Sequence, residues 1–237
     1  MEMEDCMEGM RKFPSKYFDL AIVDPEQGRR QHGGKKRAGL ATKKDCQRKY
    51  YVKAGNHYAK KRWDFAPAPP EYFQELFRVS KRQIIWGCNY YQDNFGPGRI
   101  IWDKINDGSD QSNAEIAYNS MTDKVEIFRF MWRGMMQGKS MTEGAIHQGN
   151  KRMNEKRIHP TQKPLALYQY CLANYAKLGD KILDTHCGSQ SSRIVAYKMG
   201  FDFWGYENDP DYYHTGSARF IDEVMLPLFD NFEKKTI

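Results

Sequence analysis

One stretch constrains this chain more than any other: His159 to Glu207, HPTQKPLALYQYCLANYAKLGDKILDTHCGSQSSRIVAYKMGFDFWGYE. After Pro164, apolar residues recur at helical spacing (Leu165, Leu167, Tyr168, Leu172, Tyr175) until Gly179–Asp180 ends the run. Lys181 to Asp184 is a short apolar segment closing on a carboxylate, as a buried parallel strand reads. Gly188–Ser189 turns the chain into a second helix, 191–199, which Gly200 stops. Residues 201–207 form the next strand and again close on an acid. The result is a βαβ unit with a glycine turn after its first strand and an acid at the tip of its second. A nucleoside suits that arrangement, because backbone approaches it at the turn while Glu207 accepts from ribose hydroxyls.

The rest of the chain supplies further strands in the same style. Phe18 to Asp24 (FDLAIVD) is a buried strand ending in an acid, followed directly by Pro25-Glu26-Gln27-Gly28. Pro69–Pro70 leads into a helix over 71–79, then QIIWG (83–87) is a strand with Asn89 and Tyr90 just past its carboxyl end. RIIWD (99–103) is another strand. Segments 115–119 and 125–130, flanking the turn Met121-Thr122-Asp123-Lys124, read as a hairpin at the sheet edge. The fold expected is α/β, a mostly parallel seven-stranded sheet with one edge hairpin. Short helices are expected over 3–10 and 209–225. Segment 134–157 is polar and lacks periodicity.

Charge is distributed unevenly. Between Gly28 and Arg62 stand thirteen Lys or Arg and one acid, Asp45, so the rest of the chain is net acidic although the whole carries +7. Tyr50, Tyr51 and Tyr58 lie among these charges, a composition suited to a loop that orders on phosphates and bases. Arg29, Arg30, Lys35, Lys36 and Arg37 are the candidate phosphate contacts; a solvated insertion is the alternative. No run is apolar enough to cross a membrane, and the acidic start lacks a signal-peptide core, so a cytoplasmic location is expected. The five cysteines (6, 46, 88, 171, 187) have no paired spacing and read as free thiols, and no metal site is expected.

HPTQKP before a helix, LD-x-x-x-GS after it and G-x-E at the next strand together resemble the cofactor half of S-adenosylmethionine-dependent amino-methyltransferases acting on DNA bases. In that family the loop is usually Asp-Pro-Phe-x-Gly-Ser-Gly; here it is Asp184-Thr185-His186-Cys187-Gly188-Ser189-Gln190. The family's catalytic tetrapeptide, Asp-Pro-Pro-Tyr, corresponds to Asp24-Pro25-Glu26-Gln27. IIWGxNYY is similar to phage-type members. The candidate strand with the acid comes first and the cofactor unit last, the order of the circularly permuted amino-methyltransferases.

The resemblance implies a Rossmann-like methyltransferase fold spanning 1–237. Its catalytic half is 13–133, with the basic DNA-binding loop at 29–62; a short recognition-like linker is 134–157, and the cofactor half is 158–225. It implies methyl transfer from S-adenosylmethionine to the N6 amine of adenine, on a base flipped from double-stranded DNA. Asp24 and the Pro25 carbonyl would accept from that amine, with Glu26 and Gln27 beside them. Asp184, Thr185, Gly188, Ser189, Gln190, Ser191 and Glu207 would hold the cofactor with His159, Thr161, Gln162 and Lys163, the 161–163 turn receiving its carboxylate. Asn89 and Tyr90 would meet the substrate. Gln27 has no π-face for stacking and Gln190 stands where glycine admits close approach. An inactive DNA-binding module of the same fold therefore stays open beside the enzyme, as do N4-cytosine and RNA as targets.

Overall fold

The computed structural model describes residues 1–29, 64–108 and 112–225. In chain order it contains α1 (Cys6–Arg11), β1 (Phe18–Val23), α2 (Pro70–Val79), β2 (Ser80–Trp86), β3 (Arg99–Asp103), β4 (Ala114–Asn119) and β5 (Val125–Arg129). A small ribbon, β6 (Trp132–Arg133) and β7 (Met136–Gln137), precedes α3 (Leu165–Tyr175), β8 (Lys181–Asp184), α4 (Ser191–Lys198), β9 (Asp202–Gly205) and α5 (Pro210–Phe220). Seven strands form one sheet in the order β5-β3-β4-β2-β1-β8-β9. β4 runs antiparallel to both of its neighbours and the other four pairings are parallel.

Alternation along the strands builds a core on each face. Leu20, Ile22, Ile84, Trp86 and Ile182 point to one side, where Leu167, Leu172 and Val195 of α3 and α4 cover them. Ala21, Val23, Ile85 and Leu183 point to the other, under Met10 of α1 and Tyr72, Phe73 and Leu76 of α2. Helices on both faces explain why residues 20–23 of β1 read as an unbroken apolar run. α2 starts where Pro70 stands at the first turn, and Asp209 caps α5 by accepting from the backbone N–H of Asp211 and Tyr212.

The edge hairpin is not formed. Both of its strands are present, but β3 lies between them, antiparallel to β4 and parallel to β5. The 120–124 turn instead crosses the start of β3. Gly98 makes the crossing possible: a Cβ there would stand 2.0 Å from the Thr122 carbonyl oxygen and 2.3 Å from that of Asn119. The Asn119 and Arg99 N–H groups then bond across the crossing, to Gly98 and Lys124 respectively.

From the pair β1–β8 the chain proceeds outward in opposite directions, to β2 on one side and β9 on the other. The carboxyl ends of β1 and β8 therefore open a crevice, the place where ligands bind in sheets of this kind.

Candidate functional site

A cleft of about 870 Å³, its open mouth included, fills that crevice. One wall is the segment after β1: Asp24, Pro25, Glu26, Gln27 and Arg29. The other comprises Cys187, Gly188 and Ser189 after β8, Glu207, Asn208 and Asp209 after β9, and Tyr212 of α5. His159, Thr161, Gln162 and Lys163 close one end.

The β1 segment is fixed by residues distant in sequence. Asp64 accepts from the Gln27 and Gly28 N–H groups at 3.0 and 2.8 Å, and the Glu26 carbonyl accepts from Ala68 N–H. Gly28 has φ +69°, and a Cβ there would press on Pro67, so glycine is required. Tyr91 donates its hydroxyl to the Pro25 carbonyl at 2.8 Å.

Asp24 is engaged at both oxygens. Gln27 Nε2 donates to Oδ1 at 3.1 Å, and Lys163 Nζ donates to Oδ2. Lys163, 4% exposed, also lies 3.2 Å from Glu115, which pairs in turn with Lys104. Burial opposes the charge on Lys163, but Asp24 and Glu115 outweigh it and raise its pKa. Burial likewise opposes the charge on Glu115, yet Lys163 and Lys104 hold its carboxyl down at about 2. Burial pushes Asp24 upward against the pull of Lys163. Lys163, expected at a cofactor carboxylate, is thus the buried partner of Asp24. The α3 N-terminus is already served by a carboxylate, since Leu165 N–H donates to Glu155.

Two of the motif departures, Glu26 and His186, face each other. His186 Nε2 lies 3.0 Å from Glu26 Oε2. Burial opposes both charges, yet each partner stabilises the other: Glu26 falls to about 2 and His186 rises well above its ordinary value. On its other side His186 Nδ1 meets Thr185 Oγ1 at 2.9 Å, which lies 2.6 Å from the Tyr72 hydroxyl.

Glu207 accepts from Gly188 N–H at 2.8 Å and Asp209 N–H at 2.9 Å, so it ties the glycine turn to the tip of β9. Four of the expected cofactor residues do not line the cleft. Asp184 is buried below it, accepting from Ser192 Oγ and His186 N–H, and burial lifts its carboxyl to about 6. Thr185 supports His186, and Ser191 donates to the Lys163 carbonyl. Gln190 adopts φ +57°, the conformation glycine favours, and turns its side chain outward. There its Nε2 donates to the Tyr213 carbonyl and Ser217 Oγ over Gly216, where a Cβ would stand 2.8 Å from it. The second glycine is therefore replaced without filling the cleft.

Asn89 and Tyr90 line a second cavity beside the cleft, which shares Gln27 and Glu115 with it. Arg29 lies over the Tyr90 ring at 5.0 Å. Arg30, Lys35, Lys36 and Arg37 lie outside the described residues. Among the described residues no His, Cys, Asp and Glu group could hold a metal ion, and no helix is long and apolar enough to cross a membrane. Asp64, Tyr91, Glu115 and His186 were missing from the sequence reading. For His186 a signal existed, a polar residue in a loop where the resembled pattern has Phe; the others acquire partners only through the fold.

Sheet order, switch-point cleft and acids at successive strand tips define a nucleoside-binding α/β protein. The chain belongs to the DNA methylase family of the N6/N4 type, whose model matches residues 41–218, a span that leaves Asp24 outside it. Two solved structures share the fold. M1.HpyAVI in complex with SAM is 16% identical over 92% of this chain and 97% of its own, with a TM-score of 0.51. The PvuII DNA methyltransferase, cytosine-N4-specific, is 12% identical over 93% and 85%, with a TM-score of 0.55.

Proposed function

We propose that this protein transfers the methyl group of S-adenosylmethionine to an exocyclic amine of a DNA base, N6 of adenine. The observation that carries the reading is the position of Asp24, an acceptor at the tip of β1 facing the glycine turn and Glu207 across one cleft. The lining fits a cationic nucleoside. Asp24, Glu26, Asp64, Glu115, Glu207 and Asp209 outnumber Arg29, Lys163 and His186, a balance that attracts a cation. Glu207, Gly188 and Ser189 would hold the nucleoside, with His159, Thr161 and Tyr212 closing over it.

S-adenosylmethionine supplies, when bound, a sulfonium methyl whose C–S electron pair leaves on sulfur as a neutral thioether. Asp24 orients the amine: its Oδ1 accepts one N–H where the Gln27 amide now sits, so Gln27 yields as the base enters. The Pro25 carbonyl, which keeps a lone pair beyond the Tyr91 bond, accepts the other. The lone pair so exposed forms the N–C bond, and the proton then lost from nitrogen passes to water. Lys163 holds Asp24 in place throughout.

A second reading, a DNA-binding module without chemistry, draws on the engagement of both Asp24 oxygens within the protein. Nucleoside mass spectrometry separates the two, on DNA and RNA from cells lacking their own adenine methylation that express the wild type or Asp24→Ala. N6-methyladenine with the wild type and background with the variant is the expected result. N4-methylcytosine instead would reassign the base, methylated RNA alone would reassign the nucleic acid, and no methylated nucleoside from a folded wild type would leave the binding module.

A further inference from the structure

The reacting groups are held by separate loops, the amine by the segment after β1 and the cofactor by the segment after β8. Parallel pairing of those strands, Leu20 with Ile182 and Ala21 with Leu183, stops before either loop begins. Beyond that point Glu26 and His186 meet directly, 3.0 Å apart. Each is anchored behind: Glu26 through its carbonyl to Ala68 N–H, and His186 through its N–H to Asp184, with its ring against Thr185 and Tyr72. Both side chains are about three-quarters buried, so the pair is little screened by solvent.

We propose that the Glu26–His186 ion pair is a positioning latch that sets the distance between the catalytic loop and the cofactor loop. The inference rests on the methyltransferase reading above. Neither residue takes part in bond making. Their contact fixes how far Asp24 stands from the glycine turn, and transfer over a reach of a few ångströms is sensitive to an error of about 1 Å, which costs up to about 100-fold in rate. Two of the positions at which this chain departs from the family pattern thus form one device.

The test uses the full chain, with S-adenosylmethionine as calorimetric probe and duplex DNA as acceptor. Glu26→Gln and His186→Gln should each lower single-turnover methyl transfer at least tenfold while changing cofactor Kd less than threefold. The double variant should be no slower than the worse single one, because the latch is lost once. Before cofactor is added, the ¹⁵N shifts of the His186 ring should report an imidazolium at pH 7.5 in the wild type and a neutral ring in Glu26→Gln. If a glutamine variant does not fold, Glu26→Asp, which keeps the charge and withdraws the carboxylate, should show the same loss. Single variants within twofold of an active wild type, multiplying losses in the double variant, or a neutral wild-type ring would each overturn the latch alone. A wild type that binds cofactor and transfers nothing would fail the functional reading, and the latch with it.

Discussion

Lys163 shows how a residue's meaning changes once its neighbours are known. In sequence it belongs to HPTQKP, a turn before a helix. In the structure it is a buried cation between Asp24 and Glu115. Removing one partner from a buried charge group leaves the others uncompensated, which costs about 3–5 kcal/mol. Lys163→Met should therefore lower the free energy of urea unfolding by about that amount. A loss below about 1 kcal/mol would mean that water reaches the carboxylates and that the group resembles a surface pair. The position of Asp24, Gly188 and Glu207 at the cleft was legible because ligand crevices open at strand tips in sheets of this type. Glu115 was not: a carboxylate inside a strand has no local signature until a lysine 48 positions further on is brought against it.

At the scale of elements, hydrophobic period and glycine placement located nearly every helix and strand to within a few residues. RIIWD and KILD form strands over the very spans read from sequence. The failure was in pairing. Two apolar segments separated by a short turn ordinarily pair with each other, yet β3 occupies the place between them. The crossing depends on one missing methyl group. Gly98→Ala would set a Cβ against the backbone carbonyls of Asn119 at the end of β4 and Thr122 in the turn, which no side-chain rotation relieves. Overpacking of this kind costs about 1–3 kcal/mol, and the shift in the urea midpoint should show it. An unchanged midpoint would mean that the turn can lift from β3 at no cost. Gln190 is the converse case, a position where glycine was expected and where rotation of the side chain toward α5 keeps the cleft open.

At the scale of the whole molecule, Glu155 joins distant parts. Its carboxylate accepts from the α3 N-terminus and from Arg219, whose Nη1 also donates to the Ser189 carbonyl. Burial raises its carboxyl from 4.5 to about 7. Between those values the folded protein keeps a proton that the unfolded chain has lost, so stability falls as pH rises through this window. The full effect is of the order of 3 kcal/mol. Urea unfolding at pH 5 and pH 8 should show the fall in the wild type and a smaller one in Glu155→Gln, with His186, Asp184, Asp24 and Glu207, all raised in the folded protein, supplying the remainder; equal falls would remove Glu155 as the source. Local forces alone fix the α/β class, the positions of the elements and the strand tips that open on the cleft, all consequences of side-chain period and backbone freedom. Packing between distant segments settles which strand lies beside which, that Lys163 serves Asp24, and that Glu26 and His186 meet. Those outcomes rest on contacts between segments up to about 160 residues apart, whose strength comes from exclusion of water and has no counterpart in any stretch of chain taken alone.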